Sequence, residues 1–215
     1  MKTILLLLLA FLLGFGGVVG YQFIRSKQNA PAVATPASQP TQELTFALVP
    51  PSEAVWGILT VTSGHAEKFS RGETEYKEAS TGAQILLGES IATKENSSAT
   101  TDVSGIVKAS LGASSELVFA NLFPTDFVLQ QKIGKIDYLV TKPISVRALH
   151  SLVTIESGDT TINIIDTDMS ITVKTGSVKF ALVDNDNNTK VWNLNTGQRA
   201  NIDDKTREVF LVQAR

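Results

Sequence analysis

Cysteine is missing from all 215 residues, which rules out disulfides, thiolate metal sites and a lipidated cysteine anchor. Histidine occurs twice only, as His65 and His150, 85 residues apart. A nucleophilic triad needs a base oriented by a carboxylate beside an activated hydroxyl. Ser63 near His65 and Ser151 beside His150 are neighbours in sequence only, and adjacent strand residues point to opposite faces. Both histidines therefore read as turn or surface residues. The G-x-S-x-G, H-E-x-x-H and P-loop patterns are also missing. Neither charge sign dominates, with 19 basic against 21 acidic residues and no basic stripe, so nucleic acid is not an implied partner. Behind residue 50 no apolar stripe of helical period lasts three turns, which disfavours a doubly wound nucleotide-binding fold.

What is present begins with an apolar run. From Ile4 to Ile24 only Gln22 is strongly polar. About 21 residues at ~1.5 Å rise make roughly 31 Å, the hydrocarbon thickness of a bilayer. The length favours an uncleaved anchor over residues 1–25, although Val18-Val19-Gly20 would serve as a cleavage site. Lys2 on one side and Arg25 with Lys27 on the other nearly balance the basic-residue bias. Long domains translocate largely regardless of charge, so the C-terminal part is expected outside the cytoplasmic membrane in a single-pass arrangement. Residues 26–50 are rich in Ala, Pro, Thr and Gln and read as a flexible stalk. Such a stalk has an r.m.s. reach of ~25–30 Å.

Residues 55–212 suffice for one domain with a proper core. Their period is that of strands. Val153 and Ile155 alternate with Thr154 and Glu156; Thr160, Ile162 and Ile164 with Thr161 and Asn163; Met169, Ile171 and Val173 with Ser170, Thr172 and Lys174. Val178, Phe180 and Leu182 continue the pattern. Period-2 alternation sends one set into a core and the other into water. Turn clusters are expected at Ser63-Gly64, Thr81-Gly82, Ser104-Gly105, Ser157-Gly158, Thr175-Gly176, Asp184–Asn188 and Thr196-Gly197. The expected class is all-β: a sandwich, a roll or a short β-helix.

The chain also echoes itself. Thr60-Val61-Thr62-Ser63-Gly64 leads to Phe69, Tyr76 and Thr81-Gly82; Thr172-Val173-Lys174-Thr175-Gly176 leads to Phe180, Trp192 and Thr196-Gly197. The two glycines of a copy stand 18 residues apart in the first and 21 in the second. A strand–turn–strand–turn unit used twice could bury faces that neither copy could bury alone.

Several of these segments together resemble the FecR-like domain family. Gly88-Glu89-Ser90-Ile91-Ala92-Thr93 is similar to its G-D-x-I-x-T motif. Ser97-Ser98-Ala99 and Ile106–Leu111 match its small-residue pair and following strands. Val153–Ile164, Ile171–Val178 and Gly197-Gln198-Arg199-Ala200 resemble its later half, so the likeness runs from Gly57 to Ile202. One departure is that Gly158-Asp159-Thr160-Thr161-Ile162 lacks the phenylalanine expected after the glycine. In the best-known members the β domain lies outside the membrane and senses an outer-membrane transporter, while a cytoplasmic domain restrains a sigma factor. With only Met1-Lys2-Thr3 ahead of the apolar run, that second role is not expected here. The chain instead resembles those members that are simply anchored or secreted β domains of unassigned activity.

Three further features invite chemical readings. Asp184-Asn185-Asp186-Asn187-Asn188 opens like an EF-hand loop, but Thr189 and Asn195 occupy its glycine and glutamate positions. A hairpin tip accounts for the same residues, and the calcium reading stays open beside it. Trp56, Tyr138 and Trp192 could line a groove or pack the core. Leu122-Phe123-Pro124 with Phe127 could be a docking patch or a buried connection. Glu73, Glu75 and Glu78, mixed with Arg71 and Lys77, read as a solvated hairpin.

The expected function is therefore a non-catalytic binding or assembly module tethered to the inner membrane. It would recognise an envelope protein or a surface polymer through a strand edge or face. No catalytic, cofactor-binding or metal residue is nominated. The alternative is a periplasmic lipid-handling jelly roll, which needs a continuous apolar groove and small inward side chains. The bulky Ile, Leu, Val and Phe on the inward faces favour a closed core instead.

Overall fold

Strict alternation of β-branched and polar residues, punctuated by glycine, gives strands throughout. The computed structural model describes residues 54–103 and 105–213, all of them strand, turn or loop. The expected anchor and stalk lie outside the described residues. In chain order the strands are β1 (Gly57–Ser63), β2 (Ala66–Phe69), β3 (Lys77–Ala79), β4 (Gln84–Ile85), β5 (Ser90–Thr93), β6 (Ser98–Val103), β7 (Val107–Leu111) and β8 (Glu116–Phe123). They continue as β9 (Asp126–Val140), β10 (Ile144–Ala148), β11 (Ser151–Ile165), β12 (Asp168–Val173), β13 (Ser177–Val183), β14 (Thr189–Asn195), β15 (Gln198–Asp203) and β16 (Glu208–Gln213).

All sixteen strands belong to one hydrogen-bonded network. It consists of two runs that share β9 and β11. The first runs β16–β15–β12–β11–β9–β7–β6–β1–β4. The second runs β14–β13–β11–β10–β9–β8–β5–β2–β3. Among the described residues only the β9–β10 pair is parallel. Each shared strand serves the second run with its first half and the first run with its second half.

Both halves bury a face in the same core, so the inward parity must change at the crossing. In β9 Phe127, Leu129 and Gln131 are buried before Gly134, and Ile136, Tyr138 and Val140 after it. In β11 Val153 and Ile155 are buried before Gly158, and Thr160, Ile162 and Ile164 after it. Ser157-Gly158, expected as a turn, is thus the point where one continuous strand changes run. The local pattern of a turn and of a crossing is the same, and only distant pairing partners distinguish them.

The crossings need glycine. Gly158 has φ of 98° and Gly176, between β12 and β13, has φ of 86°. A Cβ on Gly158 would meet the Thr175 carbonyl oxygen at 2.2 Å, and one on Gly176 would meet the Ser157 carbonyl oxygen at 2.0 Å. Two backbones crossing in opposite directions touch there, which leaves no room for a side chain. At the β9 crossing the buried Gln131 donates to the carbonyls of Gly134 (2.8 Å) and Ile162 (3.1 Å). It also accepts the Tyr138 hydroxyl at 3.1 Å. Burial pushes the Tyr138 phenol well above its usual value, so it stays a neutral donor.

The echoed segments make the same pairs. β1 pairs with β4 and β2 with β3; β12 pairs with β15 and β13 with β14. Each copy also brings its aromatics together: Phe69 and Tyr76 at 5.3 Å, tilted, and Phe180 and Trp192 at 4.9 Å, stacked. The core is filled with large side chains. Phe119, Tyr138, Phe180 and the inward leucines and isoleucines, such as Leu59, Ile91, Leu117, Leu129, Ile136 and Ile162, are essentially inaccessible.

Candidate functional site

Among the described residues neither imidazole meets a nucleophilic side chain. His65 Nδ1 lies 3.0 Å from Glu78 Oε1, both side chains being largely in solvent. Glu73 forms an ion pair with Lys77 at 2.6 Å, so this acidic run is a charge-paired surface. His150 is more organised. Its Nδ1 lies 2.7 Å from Asp204 Oδ2, while its backbone N–H and Arg207 Nη1 both donate to Asp204 Oδ1, at 3.2 and 3.1 Å. Asp204 is buried and joins residues 54 positions apart, pinning the β15–β16 hairpin to the β10–β11 turn. Ser151 starts β11 with its hydroxyl buried and unpartnered. The exposed imidazole of His150 and the buried hydroxyl of Ser151 therefore do not converge.

The Asp184–Asn188 segment forms the tip between β13 and β14. Asp184 Oδ1 accepts the backbone N–H groups of Asn188 (2.8 Å) and Asp186 (3.0 Å), and Oδ2 pairs with Lys190 at 3.2 Å. The Asn188 amide hydrogen bond is the main reason the Asp184 carboxyl sits below its usual range. Asn187 takes the left-handed conformation, with φ of 62°. The Asp184 oxygens are thus engaged in closing the turn. Among the described residues no three His, Asp or Glu side chains converge as a metal site would require.

The aromatics separate. Tyr138 is fully buried, Trp192 is half-buried on Phe180, and Trp56 is exposed just before β1. Leu122 and Phe127 are buried beneath the β8–β9 turn, whose Pro124 is exposed. That segment is a buried connection.

The feature that stands apart is β16. Among the described residues the two runs end in four edge strands, and three are blunted in ways that discourage pairing with other chains. β4 has two residues and β3 three, while β14 carries Lys190 beside polar Asn193 and Asn195. β16 has six residues, Glu208-Val209-Phe210-Leu211-Val212-Gln213, with no proline and no break in register against β15. Phe210 is 57% exposed, Leu211 56% and Val212 47%. Three consecutive apolar residues cannot all face a core from one strand, so the edge is apolar on both faces.

Beside it the outer face of the first run carries a shallow groove of ≈ 450 Å³, lined by Asn163, Ser170, Arg199, Asn201, Asp203 and Phe210 among others. Arg199 Nε donates to Asn201 Oδ1 at 2.8 Å. The Thr206 backbone amide, ahead of the Thr206 hydroxyl and the Lys205 amide, holds the Asp203 carboxyl below its usual range. Sequence reasoning did not find this edge, and its one signal is the loss of alternation at Phe210-Leu211-Val212.

No known protein family matches the chain. No curated protein matches it either. Among solved structures it is similar to two crystal structures of a candidate anti-sigma factor from Parabacteroides distasonis, at 2.50 and 1.65 Å resolution. Each has a TM-score of 0.50, at 17% and 15% sequence identity, and the likeness covers 58% of this chain. It spans 59% of the length of those chains. At that identity the likeness is one of fold.

Proposed function

We propose that this chain is a FecR-like β module, tethered to the cytoplasmic membrane by residues 1–25 and held outside it on the 26–50 stalk. It works by binding or assembly and not by catalysis. The observation that carries the reading is the long, apolar edge of β16, which no strand of the described residues caps, on a body whose interior is filled. A filled interior suits a module that presents surfaces, whereas a lipid carrier needs a hollow one. The pairing of His65 with Glu78 and of His150 with Asp204, each imidazole lying at the surface, also supports a role without chemistry. The shared fold of the solved neighbours supports the FecR-like assignment; their anti-sigma description belongs to them, and only the fold is taken from them.

The test combines topology with partner capture. Protease added to spheroplasts should digest the β domain of the full chain while leaving a cytoplasmic control intact. A cross-linking pull-down from the same membranes should retrieve an envelope protein or a surface polymer. Protection of the domain in opened envelopes refutes the exported topology, and recovery of lipid alone favours the carrier reading.

A further inference from the structure

We propose that the occupant of the β16 edge is a second copy of this chain, whose own β16 lies antiparallel across a two-fold axis with Phe210 opposite Phe210. The inference rests on the binding-module reading above and names its partner.

The core shows what the edge lacks. One inward row of side chains crosses the first run strand by strand: Leu111, Ile136, Ile162, Ile171 and Ala200, ending on Leu211. The first five are 0–1% exposed, and Leu211 is 56% exposed. A neighbouring row passes through Ile164, Met169 and Ile202 and ends on Val209. Both rows stop because the strands stop. Another strand would complete them if it brought two apolar inward residues two positions apart, spaced as Val209 and Leu211 are. Beneath Leu211 lies a small hollow of ≈ 140 Å³ floored by the buried Leu194 of β14, which such a strand would help to close.

The β16 sequence meets that requirement against itself. A two-fold axis perpendicular to the sheet keeps outer faces with outer and inner with inner, so one residue must oppose its own copy. Centring on Phe210 places Val209 opposite the copy's Leu211, and Leu211 opposite its Val209. Both inward rows then continue with apolar side chains. On the outer face the two Phe210 rings form a cross-strand aromatic pair, a favourable combination. Glu208 falls opposite Val212, so no like charges meet between the two strands. Centring on Leu211 instead sets Val209 against Gln213 and leaves an inward row ending on a polar group. Centring on Val209 carries Leu211 past Glu208, where the copy's strand begins, so the Leu211 row is left without a continuing residue. One register satisfies both faces.

A single strand pair buries less than the ~1,200 Å² of a standard specific interface. The dimer is therefore weak between free molecules, and tethering to one membrane raises the effective concentration that drives it. Covalent trapping suits such a complex, and a chain without cysteine makes trapping unambiguous. Directly opposed residues of an antiparallel pair have Cα atoms ~4.5–5.5 Å apart, inside the disulfide range.

The experiment uses the full chain in isolated membranes, oxidised with copper phenanthroline and run on non-reducing gels. Phe210→Cys should give a disulfide dimer. Val191→Cys, comparably exposed at 50% but on the β14 edge, should give roughly tenfold less. Adding Leu211→Lys to Phe210→Cys sets a lysine against the copy's Val209 and should cut trapping by a similar factor. Leu211 is already exposed, so an unchanged melting temperature of the double variant separates this from unfolding. Equal trapping of Phe210→Cys and Val191→Cys overturns the proposal, as does a Phe210→Cys chain that stays monomeric. A monomeric chain that still captures an envelope partner removes the dimer and leaves the binding module. A trapped dimer whose domain resists protease in spheroplasts supports the dimer and removes the exported topology.

Discussion

Replacing Gly158 by alanine tests the crossing on which the architecture depends. Two costs add there. An L-residue at positive φ costs about 1–3 kcal/mol, and Gly158 has φ of 98°. The new Cβ would also sit 2.2 Å from the Thr175 carbonyl oxygen, a backbone atom that cannot swing aside. That oxygen accepts the Asp159 N–H at 3.1 Å, and the Thr175 hydroxyl accepts the same group at 2.9 Å. Relieving the clash moves two strands apart and weakens these bonds, which adds about 2–4 kcal/mol of packing and hydrogen-bond loss. Gly82 is the matched control, since its φ of 90° is similar but nothing lies within 4 Å of an added Cβ. Gly82→Ala therefore carries the backbone cost alone.

The expected difference between the two variants is about 2–4 kcal/mol, or roughly 5–15 °C in melting temperature for a domain of this size. Urea unfolding of the full chain in mild detergent measures it, with the half-buried Trp192 as fluorescent reporter. Gly158→Ala and Gly176→Ala clash at the same crossing, so the double variant should lose less than the sum of the singles. If Gly158→Ala and Gly82→Ala agree within about 0.5 kcal/mol, the backbones do not touch as described.

Three other perturbations follow from buried polar groups. Gln131→Leu leaves the Tyr138 hydroxyl without its acceptor in a fully buried site and should cost about 1–3 kcal/mol, whereas Tyr138→Phe in that background should recover part of the loss, both read by urea unfolding. Thr160 is fully buried with its hydroxyl unpartnered, so Thr160→Val should be neutral or stabilise by up to about 1–2 kcal/mol; a clear loss of thermal stability would show that the hydroxyl is satisfied. Burial tends to raise the Asp137 carboxyl, but the Thr161 hydroxyl and the Lys174 ammonium outweigh it and hold it below the usual range. A carboxyl lower in the folded than in the unfolded chain stabilises above the unfolded value of ~3.9 and loses that contribution as the pH falls through the folded one. Asp137→Asn should therefore be less stable than wild type at neutral pH, with the gap closing in acid; a gap constant from pH 7 to 2 in thermal melts would refute this.

The strands after residue 150 could be read from sequence because one residue in two goes to the core, and every inward position read in β11 to β13 is buried. The parity change between Ile155 and Thr160 was equally visible, but a glycine at a parity change looks the same whether the chain reverses or crosses. Pairing with β10 and β13 on one side, and with β9 and β12 on the other, settles which, and those partners lie far away in sequence. β9 escaped notice because Gln130, Gln131 and Lys132 interrupt its apolar pattern, although Gln131 is a core residue by virtue of its hydrogen bonds. The Asp184–Asn188 tip was legible because a turn is made by its own residues. The contact of His150 with Asp204 was not, since 54 residues separate them. Edge status is the least legible property of all, because it depends on which strand has no neighbour.

The two echoed units allow one more step. β1 to β4 and β12 to β15 make the same internal pairs, so whatever differs between them is not required by the unit itself. The first copy closes its end of the sheet with the two-residue β4 and the turn before it, where Gly82 N–H donates to the Leu59 carbonyl and the Ala83 carbonyl accepts the Leu59 N–H. That is enough to leave Leu59 and Ile85 fully buried. The second copy lengthens the equivalent strand, β15, to six residues and adds a further strand, β16, that buries little of its own apolar surface. A unit that needed only to cap its core had the shorter solution available in the same chain. Extending the sheet instead, with an unblunted edge and apolar residues on both faces, places the strand where another strand can continue it.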